Sequence, residues 1–296
     1  MQPFDYVVPM DFQEASELLS STEGRARAMQ GGTDLLVRIR AGLVRPELVV
    51  DLKKLPGMQV IGVRADGWLS IGAACSMNQV ANASPIRERY NLLAQACNSV
   101  ASYQLRNRAT VGGNCCNGSP AADSAPALYC LGAMAEIYGP GGQRSIPIEE
   151  FFKGPGKTAL RPGELLTAIL LPPAGRDACG VFSKLGRTRA GDISTASVAV
   201  CAFSESSNKG RNTVARHGWR IGLGAVGATP LRARQAEEIL NTDHSITGIG
   251  AAAELAAQAA QPIDDVRASA TYRKAMVRVL TRRGIEAVLE KLEGGA

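Results

Sequence analysis

Two glycine-centred segments, Gly31-Gly32-Thr33-Asp34 and Thr110-Val111-Gly112-Gly113-Asn114, constrain this chain more than any other feature. Glycine adopts positive φ freely and presents no Cβ, so successive backbone N–H groups around it can converge on an anion. In the first segment the amides of Gly31, Gly32, Thr33, Asp34 and Leu35 are candidates for a phosphate cradle, with the Thr33 hydroxyl as a further donor. The second segment repeats the arrangement, adds the Asn114 side-chain amide, and is followed by a carboxylate at Asp123. Two such nests in one domain suit a ligand with two phosphates, and an acidic group beyond them suits a ribose or ribityl hydroxyl. The same residues serve equally as ordinary structure, Gly112-Gly113 as a tight turn and Asp123 as a helix N-cap. Neither segment is a dinucleotide fingerprint, because no GxGxxG follows the first strand, and no GK[ST] marks a P-loop.

The segments around the loops alternate between strand and helix patterns. Asp11 to Ser20 has Ala15, Leu18 and Leu19 at helical spacing, with Asp11 as N-cap and Glu14 completing a capping box. Arg27 to Gln30 reads as a short strand entering the first loop, and Glu47 to Leu52 as a buried strand. Ala65-Asp66-Gly67 joins one hairpin, and Gly139-Pro140-Gly141-Gly142 joins another between Ala135–Tyr138 and Gln143–Pro147. Helices are expected over Tyr90 to Ser102 and Ser124 to Cys130, and a strand over Leu165 to Leu170 closed by Pro172-Pro173. Ala174-Gly175-Arg176-Asp177 marks the best boundary, so the chain divides into 1–175, with subdomains of about 1–56 and 57–175, and 176–296. Beyond the boundary, three strand-like runs precede helical runs at Leu231 to Leu240, Ile249 to Ala260 and Ala270 to Leu292.

A length of 296 residues fits two domains rather than one small core. The net charge of +6 comes from scattered cations with no long Lys/Arg run, which argues against nucleic acid as a partner. No run of about 18 apolar residues is present, so no membrane span is expected. The N-terminus lacks the basic and apolar regions of a secretory signal. The seven cysteines form no CxxC pair and mostly lie in apolar surroundings, as buried free thiols of a reduced, cytoplasmic protein do. His217 and His244 have no carboxylate or cysteine companion nearby, so no metal site is expected. No Ser/His/Asp or paired-carboxylate constellation appears, so no catalytic acid, base or nucleophile is assigned.

Taken together, the motifs resemble the FAD-binding medium subunit of the molybdenum hydroxylases, the xanthine dehydrogenase and CO dehydrogenase family. That family carries an (A)GGT(D/N)L-type loop, a T(I/V)GGN loop and an ASPAxDxxP(A/P)L segment, matched here by Gln30 to Leu35, Thr110 to Asn114 and Gly118 to Leu128. Its FFxGxxKTxLxxxELL stretch is matched from Phe151-Phe152-Lys153-Gly154 to Glu164-Leu165-Leu166, and its FxKxxRxxxxDI pattern from Phe182 to Asp192-Ile193. The resemblance covers nearly the whole chain and keeps the family's order and spacing.

The resemblance implies an α+β fold: a two-part FAD-binding domain of the vanillyl-alcohol oxidase (PCMH) type plus a smaller C-terminal α+β domain. It implies that residues 31–35 and 110–114, Gly112 and Gly113 among them, hold the FAD diphosphate, with Asp123 toward the adenosine or ribityl hydroxyls. Leu166 is implied as a packing surface for the isoalloxazine ring and Lys184 as its polar or positive neighbour, although Lys184 alone reads as a surface strand lysine. The implied partners are a large subunit with the molybdenum cofactor and a small subunit with two [2Fe–2S] clusters, in a dimer of heterotrimers. Electrons would pass from those clusters to FAD and then to NAD or another acceptor. Cys115-Cys116 replaces the family's usual apolar pair, and it reads either as buried small thiols or as a redox-active pair. Nothing is inserted after Asn114, so no iron–sulfur cluster is expected on this chain. The substrate is not legible, because another polypeptide would bind it. The rival readings are a self-sufficient flavin oxidase acting directly on a small substrate, for which the residues after the boundary leave little room, and a scaffold that has lost its cofactor.

Overall fold

The apolar run Leu48-Val49-Val50-Asp51 forms the strand Leu48–Asp51, buried along its length because it is the middle of a three-stranded parallel sheet. Asp5–Val7 lies on one side of it and Ala26–Met29 on the other, both parallel to it. Parallel neighbours need crossover connections. Here the helices Phe12–Ser21 and Leu35–Arg40 supply them. The first starts where the sequence signals it: the Glu14 amide donates to Asp11 Oδ1 at 2.8 Å, and Glu14 Oε2 accepts from the Met10 amide at 2.7 Å. The described residues in the computed structural model are 3–21, 24–173, 178–188, 191–204 and 217–294. The boundary read at residues 174–177 and the His217 side chain lie outside them.

The chain forms two units. The first contains residues up to Ala83, Ser102–Gly118 and Gly132–Pro173. Beside the parallel sheet it holds a five-stranded antiparallel sheet centred on Leu165–Leu171. The two expected hairpins flank that strand: Ile61–Val63 with Leu69–Gly72, and Met134–Gly139 with Gly142–Pro147. Six of the seven residues in LLTAILL are buried, as a central strand covered on both faces requires.

The second unit contains Ser84–Ala101, Ser119–Leu131 and the residues from 174 onward. Compactness therefore divides the chain differently from its linear order. The helices Asn91–Ser99 and Ser124–Cys130 pack on a four-stranded antiparallel sheet of Cys179–Leu185, Ala196–Ser204, His217–Gly224 and Leu231–Arg232. The helices Ile246–Ala259 and Ala270–Gly294 join the same core, where Val200, Ile221 and Leu223 meet Ala252, Ala256, Val277 and Ile285. The helix expected over Leu231 to Leu240 is shorter than its pattern suggests. Leu231–Arg232 is a sheet-edge strand and the helix runs Arg234–Leu240, because Glu237 takes hydrogen bonds from both the Ile221 amide and the Arg232 guanidinium. No helix among the described residues is long and apolar enough to cross a membrane, and no group of three or more metal-ligating side chains occurs among them.

Candidate functional site

Ala26–Met29 delivers the chain into Gln30-Gly31-Gly32, and the helix Leu35–Arg40 begins three residues later. Gly32 has φ +73, and a Cβ on Gly31 would sit 2.1 Å from the carbonyl oxygen of Arg108. Both glycines are thus required by the backbone itself, one for its left-handed turn and one for close approach of the second motif. The Leu36 amide donates to Gly32 O at 3.0 Å, and Asp34 provides no side-chain cap. That leaves the amides of Gly31, Gly32, Thr33, Asp34 and Leu35 with no acceptor among the described residues. These five consecutive unengaged N–H groups belong to residues at least partly open to solvent, so they are donors that an anion can use. The structure thus fits a diphosphate at this loop.

The second motif differs from its expected form. Residues 111–116 are the helix Val111–Cys116, with Thr110 as N-cap. The Val111 amide donates to Cys75 O, Gly112 to Ala73 O, Gly113 to Thr110 Oγ1 and Asn114 to Thr110 O. A loop of free amides is therefore not what this segment offers, because a capping threonine turns the chain straight into a helix. Its glycines are needed by the protein's own packing: a Cβ on Gly112 would meet Ala73 at 2.5 Å, and one on Gly113 would meet Thr110 Oγ1 at 2.8 Å. Asn114 is half-buried on the same turn. Cys115 is buried beside it, Cys116 is half-buried, and burial pushes the Cys116 thiol up to about 12.

The structure brings the two motifs together through Gln30 and Thr110, with Lys53, Asp51 and Tyr6, which motif reading did not single out, behind them. The Thr110 hydroxyl donates to Gln30 Oε1 at 2.9 Å, and Gln30 O accepts from Lys53 Nζ at 3.2 Å. Lys53 pairs with Asp51 at 2.8 Å, and the Tyr6 hydroxyl donates to the other Asp51 oxygen. Burial pushes the Asp51 carboxyl up, but the bonds from Lys53 and Tyr6 outweigh it and hold the group below its usual range. The hydrogen bond to Asp51, then burial, raises Tyr6 from 10.0 to about 12. A raised tyrosine contributes stability that is complete below the unfolded value and is lost as pH climbs through the folded one. Between pH 10.0 and about 12, the melting temperature of the wild-type chain is therefore expected to fall more steeply than that of Tyr6→Phe. Parallel melting curves across that window would show that Tyr6 is not held by Asp51.

In the second unit Asp123 precedes the helix Ser124–Cys130, yet its side chain makes no cap bond. Instead Oδ2 accepts from Lys184 Nζ at 2.6 Å and Oδ1 accepts from the Ser194 hydroxyl. Lys184 also donates to Ser99 O at 3.1 Å, and its side chain is only 15% exposed, which removes the surface-lysine reading. Burial pushes the Asp123 carboxyl up, against the pull of Lys184 and Ser194. Two residues assigned separate roles by motif are thus partners in one buried ion pair. Leu166, in the first unit, is sealed in Leu165–Leu171 opposite Ile137, next to an irregularity in the pairing before Ala168.

Residues 2–174 match the family model described as the FAD binding domain in molybdopterin dehydrogenase. Residues 181–288 match the CO dehydrogenase flavoprotein C-terminal domain. The chain is 32% identical over 285 residues to the carbon monoxide dehydrogenase medium chain of Afipia carboxidovorans, covering 96% of each protein. It is 33% identical over 263 residues to the xanthine dehydrogenase FAD-binding subunit of Escherichia coli O157:H7, covering 88% of each. Among solved structures it is similar to reconstituted CO dehydrogenase from Oligotropha carboxidovorans, with TM-score 0.89, 30% identity and coverage of 97% of this chain and 98% of that one. Quinoline 2-oxidoreductase from Pseudomonas putida 86 gives TM-score 0.88 at 27% identity, covering 98% of each. With a two-part α+β FAD-binding domain, a C-terminal domain of matching type and one loop of unengaged amides, the chain belongs to the FAD-binding medium-subunit family of the molybdenum-dependent dehydrogenases.

Proposed function

We propose that this chain is the FAD-carrying electron-transfer subunit of a heterotrimeric molybdenum hydroxylase, taking electrons from [2Fe–2S] clusters of a small subunit and passing them to NAD or another acceptor. The observation that carries the reading is the row of unengaged amides from Gly31 to Leu35, which gives a diphosphate its donors without displacing any protein hydrogen bond. Bound FAD supplies two-electron storage and one-electron exchange, chemistry that no side chain of this protein provides. The chain's own residues bind and orient it. The amides of residues 31–35 and the Thr33 hydroxyl hold the diphosphate, while Thr110, Gly112, Gly113 and Asn114 shape the opposite wall. Asp123 keeps an acceptor for a sugar hydroxyl, and Lys184 holds that carboxylate in place. Leu166 lends its strand as backing for the ring.

The relatives named as medium chains or medium subunits support partners of larger and smaller size. On that basis we place the molybdenum cofactor on a large subunit and the clusters on a small one, in a cytoplasmic dimer of heterotrimers. Residues 1–175 would form the flavin domain and 176–296 the C-terminal one. Boiling the purified chain is expected to release FAD into the supernatant, identified by its absorption spectrum and retention time. Colourless protein that cannot be reconstituted with FAD would overturn the reading. Reduction of the bound flavin by organic substrate is expected to require the partner subunits. Rapid reduction of the isolated chain by a small organic substrate would favour a self-sufficient oxidase instead.

A further inference from the structure

Gln30 lies between the two glycine motifs and is only 8% exposed. Thr110 Oγ1 accepts from the Gly113 amide at 2.9 Å and donates to Gln30 Oε1, also at 2.9 Å. The oxygen end of the side chain is therefore committed to the second motif, and the Nε2 end points away from Thr110. Nε2 has no acceptor among the described residues, and it is not among the buried polar atoms sealed without a partner. A nearly buried side-chain amide with an open donor is costly unless a ligand or water completes it. Its own backbone runs directly into the five unengaged amides of residues 31–35.

We propose that Gln30 is a direct FAD-binding residue, its Nε2 donating to a diphosphate oxygen while its Oε1 ties the cradle to the second motif through Thr110. This inference rests on the FAD reading above and adds to it a side-chain donor at the first position of the first motif, where the family pattern has alanine. Lys53 supports the arrangement from behind, because its ammonium holds Gln30 O and so fixes the backbone from which the side chain leaves.

The test is FAD titration of the full-length apo chain, read by quenching of flavin fluorescence, with the apo melting temperature measured alongside. Gln30→Glu keeps an oxygen for the Thr110 hydroxyl and replaces the donor by a carboxylate facing the diphosphate. It is expected to weaken FAD binding at least about tenfold at about pH 8. A carboxyl beside phosphate titrates above the ordinary glutamate value of about 4.3, and once protonated it can donate as the amide does. The deficit relative to wild type is therefore expected to shrink at about pH 5. Measuring wild type at both pH values accounts for Asp34, Asp51, Lys53 and Arg108, the other charged groups of this neighbourhood. Gln30→Met, which keeps the size and removes both bonds, is expected to weaken binding about threefold to tenfold at either pH. Wild-type affinity in Gln30→Glu at about pH 8, or a loss equal at both pH values, overturns the assignment, since a merely distorted loop does not titrate. A wild-type chain that binds no FAD overturns the FAD reading itself, which separates the two failures.

Discussion

Lys184→Met is expected to lower the melting temperature of the FAD-free chain by about 6–20 °C. Removing one partner of a buried ion pair leaves the other charge without compensation, a cost of about 3–5 kcal/mol. In a chain of this size each kcal/mol moves the midpoint by roughly 2–4 °C. Lys184 is the only cation bonded to Asp123 among the described residues, and Ser194 alone cannot neutralise a carboxylate that is 5% exposed. The sign of the pH dependence follows from the same geometry. Burial already pushes the Asp123 carboxyl up, and loss of Lys184 removes the strongest opposing pull. A carboxyl raised in the folded state favours folding at pH values where it is protonated, and that contribution disappears as pH rises through its folded value. The deficit of Lys184→Met is thus expected to be smallest in acid and to grow toward neutrality. Asp123→Asn in the same chain should restore most of the loss, because the amide needs no counter-charge. Calorimetric or fluorescence melts of the two single variants and the double variant form the cycle that measures this. A shift below about 3 °C, or losses that simply add, would show that the pair is screened by solvent.

How much of this was legible in the sequence depends on the range over which each feature is decided. The helix Phe12–Ser21 and the two hairpins of the first unit are set by residues within a few positions, Asp11 with Glu14 and the Ala65-Asp66-Gly67 turn, so pattern reading finds them. The first glycine loop is equally local, because its free amides follow from a positive φ at Gly32 and a helix that starts without a side-chain cap. The second motif misleads because Gly112-Gly113 has poor helix propensity, while its helix is imposed by Thr110 and by acceptors at Ala73 and Cys75 more than 30 residues earlier in the chain. Still less legible are the bonds that make a site out of the motifs. Gln30 meets Thr110 across 80 positions, and Asp123 meets Lys184 across 61 and Ser194 across 71. Nor does any periodicity announce that Asn91–Ser99 and Ser124–Cys130 join the C-terminal sheet, since their apolar faces would suit either core.

Gly31→Ala separates what the first loop needs for folding from what it needs for binding. If glycine stood there only to admit a ligand, the variant would lose FAD affinity and keep the stability of the apo chain. The structure gives the opposite expectation. A Cβ at Gly31 would lie 2.1 Å from the Arg108 carbonyl oxygen and 2.8 Å from its carbonyl carbon, both backbone atoms that cannot rotate away. Arg108 and Ala109 are themselves held, the Ala109 amide donating to Leu105 O at 2.7 Å and Ala109 O accepting from the Met77 amide at 2.8 Å. The strain must therefore open the distance between the two motifs, and the Gln30–Thr110 bond at 2.9 Å is the first contact to go. Overpacking of this kind costs about 1–3 kcal/mol, so the FAD-free chain is expected to melt roughly 3–10 °C lower. FAD affinity should fall with it, because the backbone that carries the five unengaged amides would shift. Thr33→Ala provides the contrast, since it removes one hydroxyl from a half-exposed position and should weaken FAD binding with the apo melting temperature unchanged. If Gly31→Ala melts like wild type without FAD, the contact between the motifs is not what fixes glycine at this position, and the ligand alone would have to explain it.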